Sequence, residues 1–473
     1  MGCVNHRRGP SPGFNWPHPA LTSVSTPRPV DLPVDLIVCH GIVVTMDEQR
    51  RVLADGAIAI RDGRIVAVDD AASVLAAYSA SEHIDASGQV VHPGLINGHT
   101  HGPMELFRGL ADDELLDDWL QHTIFPAEAL NVDEAFVRTG MRLALAEMIR
   151  GGISTFADMY YFEAAVADET AQAGMRAVLG QVVIDFAAPD NANQGEAMAC
   201  VDRFVGTWQG HRLITPAIAP HAPYTVCDAH LQQVQALAEQ RSCPVVMHVA
   251  ETRHERDDCL RQHGCSPVQH LQSIGLLSEH LIAAHMVWTD EGDLERVRQH
   301  GVGLVHNPQS NMKLASGIAP LPAMLNLDLP VGLGTDSSAS NNALSIWDEM
   351  NSAAKLHKVI HGDPKVVSAR EAFEMATIRG AASLHLEHEI GSLEVGKRAD
   401  IAIVAMDPIN QTPLASLYSA LVYDTKANDV RDLIVEGRPI LRHRQLLTLD
   451  ETQIGAEGLR ARQQVVQRLG LQP

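Results

Sequence analysis

The sequence predicts an α/β protein: a closed (β/α)8 TIM-like barrel joined to a small, discontinuous β-sandwich domain drawn from both ends of the chain. Three observations lead there. After Pro93, eight short apolar stretches alternate with longer helical segments, which is the rhythm of a parallel sheet. Before and after that region the chain reads instead as short strands and tight turns. Finally, histidines and carboxylates recur where the apolar stretches end, on the face where barrel enzymes carry their chemistry.

The elements follow in order. Residues 1–32 are rich in Pro, Ser and Gly without a period and read as a disordered tail. Residues 35–38 and 41–46 are the first strand candidates, and 56–60 leads through Asp62-Gly63, a hairpin signal, to 64–68. Barrel strands are expected near 95–98, 153–157, 176–183, 213–219, 244–249, 281–284, 302–305 and 330–334. In one intervening helix Asn131 is the expected cap, with Glu134 completing a capping box and Gly151-Gly152 ending it. Strand rhythm returns at 400–404 and 432–435, and 451–468 reads as a closing helix. The expected division is a β-sandwich of 33–92 with 391–447, a barrel over 93–390, and a helical end over 448–473.

Composition excludes several classes of function. The 473 residues are 45% apolar, enough for a large core, yet no run approaches the roughly 20 apolar residues of a membrane helix. The 36 basic and 58 acidic residues leave a formal charge of −22, which argues against nucleic acid as a partner. Seven cysteines, an odd number with no Cys-x-x-Cys pair, point to a reduced, cytoplasmic protein. Arg7-Arg8 is followed by no apolar stretch, against a secretory signal.

The chemistry is expected from six residues: His99, His101, His248, Glu251, His285 and Asp336. Residues two apart on an extended chain point to one side, so His99 and His101 aim two imidazoles at one point while Thr100 turns away. His248, His285 and Asp336 each close a later apolar stretch. A lone His-x-His in a chain with 24 histidines is weak evidence; the recurrence of such residues at successive strand ends is strong. Three histidines and one carboxylate suit zinc, one ion per subunit, with a position open for water. Zinc lowers the pKa of such a water to about 7 and so supplies hydroxide at neutral pH. Glu251, three residues past His248, is placed to move a proton from water to a ring nitrogen, as base and then acid. His285 is a hydrogen-bond partner for the attacking oxygen, and Asp336 both a ligand and a proton acceptor.

These residues, with Gly334-Thr335-Asp336 and the stretch 391–400 (GSLEVGKRAD), resemble the amidohydrolase superfamily. Within it the chain looks most like the 5′-methylthioadenosine/S-adenosylhomocysteine deaminases. The stretches 106–113, 125–128, 220–224, 306–311 and 340–342 carry that likeness. The resemblance implies zinc on His99, His101, His248 and Asp336. It implies that Glu251 protonates N1 of an adenine ring as hydroxide attacks C6 and ammonia leaves. Glu128 falls where the family holds the ribose hydroxyls, and His221 where it contacts the sugar end. His306 reads as structural. The partner is thus a small nucleoside, and the family makes a homo-oligomer the expectation. Two-metal hydrolases on such barrels bridge their ions with a strand lysine, and segments 176–185 and 213–223 hold none.

One feature departs from the family. Members that accept S-adenosylhomocysteine are expected to place arginines near the third strand. Here the aligned position is Gln181, and 181–202 contains no Arg or Lys. A buried carboxylate without a cation is costly, so methylthioadenosine or adenosine is the expected substrate. Met104, Leu106, Phe107 and Trp119 are candidates for its apolar pocket. The rivals are a guanine or oxopurine deaminase, an s-triazine hydrolase and, remotely, a zinc-binding scaffold without activity. The acidic run 112–118 is either a solvated helical face or part of a lid.

Overall fold

A computed structural model describes residues 32–406 and 408–471. The predicted tail lies outside them except for Leu32, which opens the first strand. Two sheets organise the chain. The first begins with β1 (Leu32–Val44), β2 (Val52–Arg61), β3 (Arg64–Asp70), β4 (Tyr78–Asp85) and β5 (Gln89–Pro93). The second is built from β6 (Leu95–Thr100), β7 (Ile153–Tyr160), β8 (Arg176–Val183), β9 (Ile214–Pro220), β10 (Val245–Val249), β11 (Leu281–His285), β12 (Gly303–His306) and β13 (Val331–Leu333). The chain then returns to the first sheet with β14 (Ile401–Ala405), β15 (Val430–Val435), β16 (Arg438–Arg442) and β17 (Gln445–Leu446).

The eight strands β6 to β13 pair in sequence order, all parallel. The ring closes where Thr100 bridges Asp336, with the Asp336 amide donating to the His99 carbonyl at 3.0 Å. Every residue of β7 and β8 is buried, because helices cover the outside and side chains fill the inside. Asn97 ties the seam further: its Oδ1 accepts from the Thr335 amide at 3.0 Å and its Nδ2 donates to the Thr335 hydroxyl at 2.8 Å. Two metal-site candidates, His99 and Asp336, therefore sit on either side of the closure.

The other sheet is mixed and runs β17-β16-β15-β14-β5-β1-β2-β3, with β4 beside β1. Ile401 of β14 pairs antiparallel with Pro93 of β5, so the C-terminal strands enter the N-terminal sheet as expected. The sheet carries a core of its own that includes Leu36, Ile58, Ile65, Ile401 and Ile434. Asp62 and Gly63 both have positive φ, 51° and 75°, the backbone of a type I′ hairpin. Residues 35–38 and 41–46 are not separate strands: β1 is continuous, with a register shift between Val38 and Gly41 and a left-handed His40.

One capping expectation is corrected. The helix Glu134–Arg150 is capped by Asp133, whose carboxylate accepts from the Phe136 amide at 2.8 Å. Asn131 instead ends the preceding helix Phe125–Asn131 and donates to the Ala127 carbonyl. The closing helix Glu451–Arg468 lies on Glu134–Arg150; a side chain at Gly458 would meet Leu143 at 2.7 Å. Among the described residues no helix is long and apolar enough to cross a membrane, and the six described cysteines are free.

Candidate active site

The strand ends bring the predicted polar residues to one point. His99 lies in β6 with His101 just beyond it, His248 in β10, and His285 at the end of β11. Asp336 follows β13. Single ligand atoms of His99, His248, His285 and Asp336 all fall within 4.8 Å of one another. His101 joins them: its Nε2 is 3.1 Å from Asp336 Oδ1 and 3.3 Å from His248 Nε2.

Hydrogen bonds behind the rings set which nitrogen faces inward. The Nδ1 of His101 donates to the Met159 carbonyl, and that of His248 to the His221 carbonyl, both at 2.7 Å. The His285 Nδ1 donates to Asn311 Oδ1 at 2.8 Å. Each turns its Nε2 toward the common point, the arrangement that orients metal-binding imidazoles. Asp336 is held from behind by the hydroxyls of Ser310 and Ser340, at 2.7 and 2.9 Å from Oδ2.

The donor set fits a divalent metal ion. Both ring nitrogens of His99 are buried without a hydrogen-bond partner, and a coordinated ion removes that cost at the nitrogen facing the centre. Burial pushes His99 down to about 4, keeping it a neutral donor. At His101 burial opposes the charge, but the Asp336 carboxylate overrides it and pushes the imidazole up to about 9. Asp336 itself is driven up by burial and pulled further down by His101 and His99, ending well below the usual carboxylate range.

The backbone is strained where it presents these groups. Ala250, His285, Met286 and Asp336 all have positive φ, from 49° to 73°, in a region that costs a non-glycine residue about 1–3 kcal/mol. The turn before Glu251 is fixed by Glu255, whose two carboxylate oxygens accept from the Ala250 and Glu251 amides at 2.8 Å each. Glu251 is buried, 3.8 Å from His285 Nε2, and its Oε1 accepts from the Ser316 hydroxyl at 3.3 Å. Burial raises its carboxyl above the ordinary value.

These groups floor a pocket that also reaches Glu128 and His221. Glu128 is buried and accepts from the Tyr160 hydroxyl at 2.8 Å; burial pushes its carboxyl up to about 7. His221 follows β9, and its Nδ1 is 3.0 Å from the Thr225 hydroxyl. The far wall is apolar, with Met104, Leu116, Trp119, Leu120, Ile124 and Phe125. Of the four apolar candidates, Met104 and Trp119 line it. Leu106 and Phe107 belong to the core, Phe107 against Phe136. The acidic run is no simple helical face: Leu116 and Trp119 turn into the pocket while Asp112, Asp113, Asp117 and Asp118 stay exposed.

Gln181 is buried in a polar knot, its Nε2 donating to Asp190 and its Oε1 accepting from the Glu163 amide. No Arg or Lys lines the pocket among the described residues. His306 stands apart, with Nε2 3.4 Å from that of His357. The supports Ser310, Asn311, Ser316, Ser340 and Tyr160 were not assigned from the sequence. Ser310 and Asn311 lie in the stretch 306–311 and Ser340 in 340–342, but neither the strand rhythm nor the residue types indicate which metal-site side chain each holds.

Comparison with known proteins agrees with this architecture. The amidohydrolase family model matches residues 90–440. The 5-methylthioadenosine/S-adenosylhomocysteine deaminase of Syntrophobacter fumaroxidans is 44% identical over 420 residues, 89% of this chain and 96% of that one. The 5′-deoxyadenosine deaminase of Methanosarcina acetivorans is 40% identical over 442 residues, 92% of this chain and 99% of that one. A crystal structure of an adenosine deaminase from Xanthomonas campestris with bound zinc has a TM-score of 0.91 at 37% identity, covering 92% of this chain and 100% of that chain. The chain belongs to the amidohydrolase family and, within it, to the 5-methylthioadenosine/S-adenosylhomocysteine deaminases.

Proposed function

We propose that this protein is a zinc-dependent hydrolytic deaminase of adenine nucleosides, with 5′-methylthioadenosine as the favoured substrate, giving 5′-methylthioinosine and ammonia. The observation that carries the reading is the convergence of five metal-type donors with a buried carboxyl, Glu251, that hydrogen-bonds a side-chain hydroxyl and leaves its other oxygen toward His285.

His99, His101, His248 and Asp336 would hold the ion. When bound, zinc supplies a hydroxide nucleophile at neutral pH. His285, with Nδ1 engaged by Asn311, offers Nε2 as an acceptor and orients the attacking oxygen for C6 of the ring. Glu251 takes the proton of the water and gives it to N1, which turns the ring into the better electrophile; a carboxyl raised by burial suits both halves of that transfer. Asp336 accepts the remaining proton and passes it to the leaving amine. Glu128 receives the two ribose hydroxyls, and His221 contacts the sugar end. The apolar wall of Leu116, Trp119, Leu120 and Ile124 accommodates a methylthio group.

The preference over S-adenosylhomocysteine comes from charge. Its amino-acid carboxylate would meet an apolar wall without Arg or Lys and lose its hydration unpaid. Ammonia release from methylthioadenosine, adenosine, S-adenosylhomocysteine and guanine, measured side by side with zinc-loaded protein, tests both claims. Fast release from the first with little from the third is the expected result. Equal efficiency on the third sinks the charge argument, and no release from any of the four sinks the deaminase reading.

A further inference from the structure

A second group of metal-type donors lies away from the barrel mouth's centre, where two βα units meet. His263 ends the helix Arg253–His263, His270 lies in the helix Pro267–Ser273, and Asp228 opens the helix Asp228–Arg241. One ligand atom from each falls within 4.8 Å of the others. His270 is buried and its Nε2 donates to Asp228 Oδ1 at 2.8 Å, while the His263 ring lies over it with centroids 3.8 Å apart at 32°. Both imidazoles line a cavity of about 50 Å³ that also touches Cys259 and Tyr224. That is room for an ion and its waters, since about 10–15 Å³ of such space holds one water.

We infer that Asp228, His263 and His270 form a second transition-metal site, distinct from the catalytic one and independent of the deaminase assignment. Two imidazoles and a carboxylate are donors for zinc or cobalt rather than calcium or magnesium. Tetrahedral zinc with ligands at 2.0–2.2 Å needs donor atoms about 3.4 Å apart. Asp228 Oδ1 and His270 Nε2, 2.8 Å apart across their hydrogen bond, would open by about half an ångström to admit the ion, and His263, exposed at a helix end followed by the left-handed Gly264, would turn its ring from its stack on His270 to complete the set. The ion replaces the proton between His270 and Asp228, so binding releases a proton.

The location gives such an ion a mechanical consequence. Asp228 follows the loop that carries His221 and Tyr224, and His263 belongs to the helix whose Glu255 fixes the Ala250–Glu251 turn. An ion there clips together the two loops that build one wall of the pocket.

The test is calorimetric titration of the zinc-loaded enzyme with further Zn2+, repeated with His263→Ala and Asp228→Asn, neither of which touches the catalytic centre. The expected result is one additional ion per chain, with proton release seen as a buffer-dependent enthalpy. Each substitution should weaken that step by about tenfold or more, with basal turnover unchanged. His230→Ala, in the exposed group Asp185, Cys227 and His230, serves as control and should leave the step intact. Absence of a second ion, or a step that survives both substitutions, or one that His230→Ala removes, overturns the assignment.

Discussion

Glu251 illustrates how much a single residue's role depends on its surroundings. Free in water it would be an ordinary acid; here burial raises it, Ser316 and the Glu255-bound turn fix it, and His285 stands 3.8 Å away. Glu251→Gln keeps the size and the hydrogen bond but cannot carry the proton, so kcat should fall about 10²–10⁴-fold while metal content by atomic emission stays unchanged. Turnover that survives intact removes Glu251 from the reaction. Glu128 makes a second prediction. Burial pushes its carboxyl up to about 7, and two ribose hydroxyls require the anion as acceptor. The protonated form dominates below that value, so kcat/KM should fall about tenfold per pH unit as pH drops below 7. A 2′,3′-dideoxy substrate should fall less steeply there, as should Glu128→Gln with the ribonucleoside; an equal slope in all three assigns the limb to another group, such as the zinc-bound water. At this scale the sequence was legible for donors and not for their supports. His99 and His101 announce themselves by spacing. Asn311 behind His285 and Ser310 behind Asp336 do not, because loop geometry, not periodicity, brings them there.

The elements were legible where burial is one-sided or complete. All eight barrel strands appear within a few residues of their apolar stretches, since a strand covered on both faces must be apolar throughout. Boundaries were harder where local chemistry offers two answers. Asn131 and Asp133 are both good caps, and only the end of Phe125–Asn131 decides between them. The Asp133 carboxylate accepts the Phe136 amide that would otherwise lack a partner, so Asp133→Ala should cost about 1 kcal/mol, read as a lower unfolding midpoint with unchanged kcat. A cost indistinguishable from zero returns the cap to another residue. The break in β1 was misread for a related reason: a left-handed His40 and Gly41 look like a turn in sequence, yet a bulge keeps one strand paired with β2, β4 and β5.

The whole molecule depends on how the mixed sheet grips the bottom of the barrel. Arg176 opens β8 and is buried between two carboxylates from the returning chain: its Nε and Nη2 donate to Asp400 at 2.8 and 3.2 Å, and Nη2 to Glu436 at 2.6 Å. Arg398 also reaches Glu436, and the Glu436 amide donates to Asp400. Neither partner was visible as such in the sequence, because 224 and 260 residues separate them from Arg176. Taking the guanidinium away leaves Asp400 buried without a cation beside Glu436, which keeps Arg398, a loss that typically costs about 3–5 kcal/mol. Arg176→Ala should therefore lower the unfolding midpoint far more than Asp133→Ala does. It should do so without altering kcat/KM of the folded enzyme, because Arg176 lies at the start of β8, roughly 20 Å of strand away from the catalytic rim. A variant that unfolds normally but loses activity would mean that this junction positions the strand ends; one that changes neither would mean that apolar packing alone joins the two sheets.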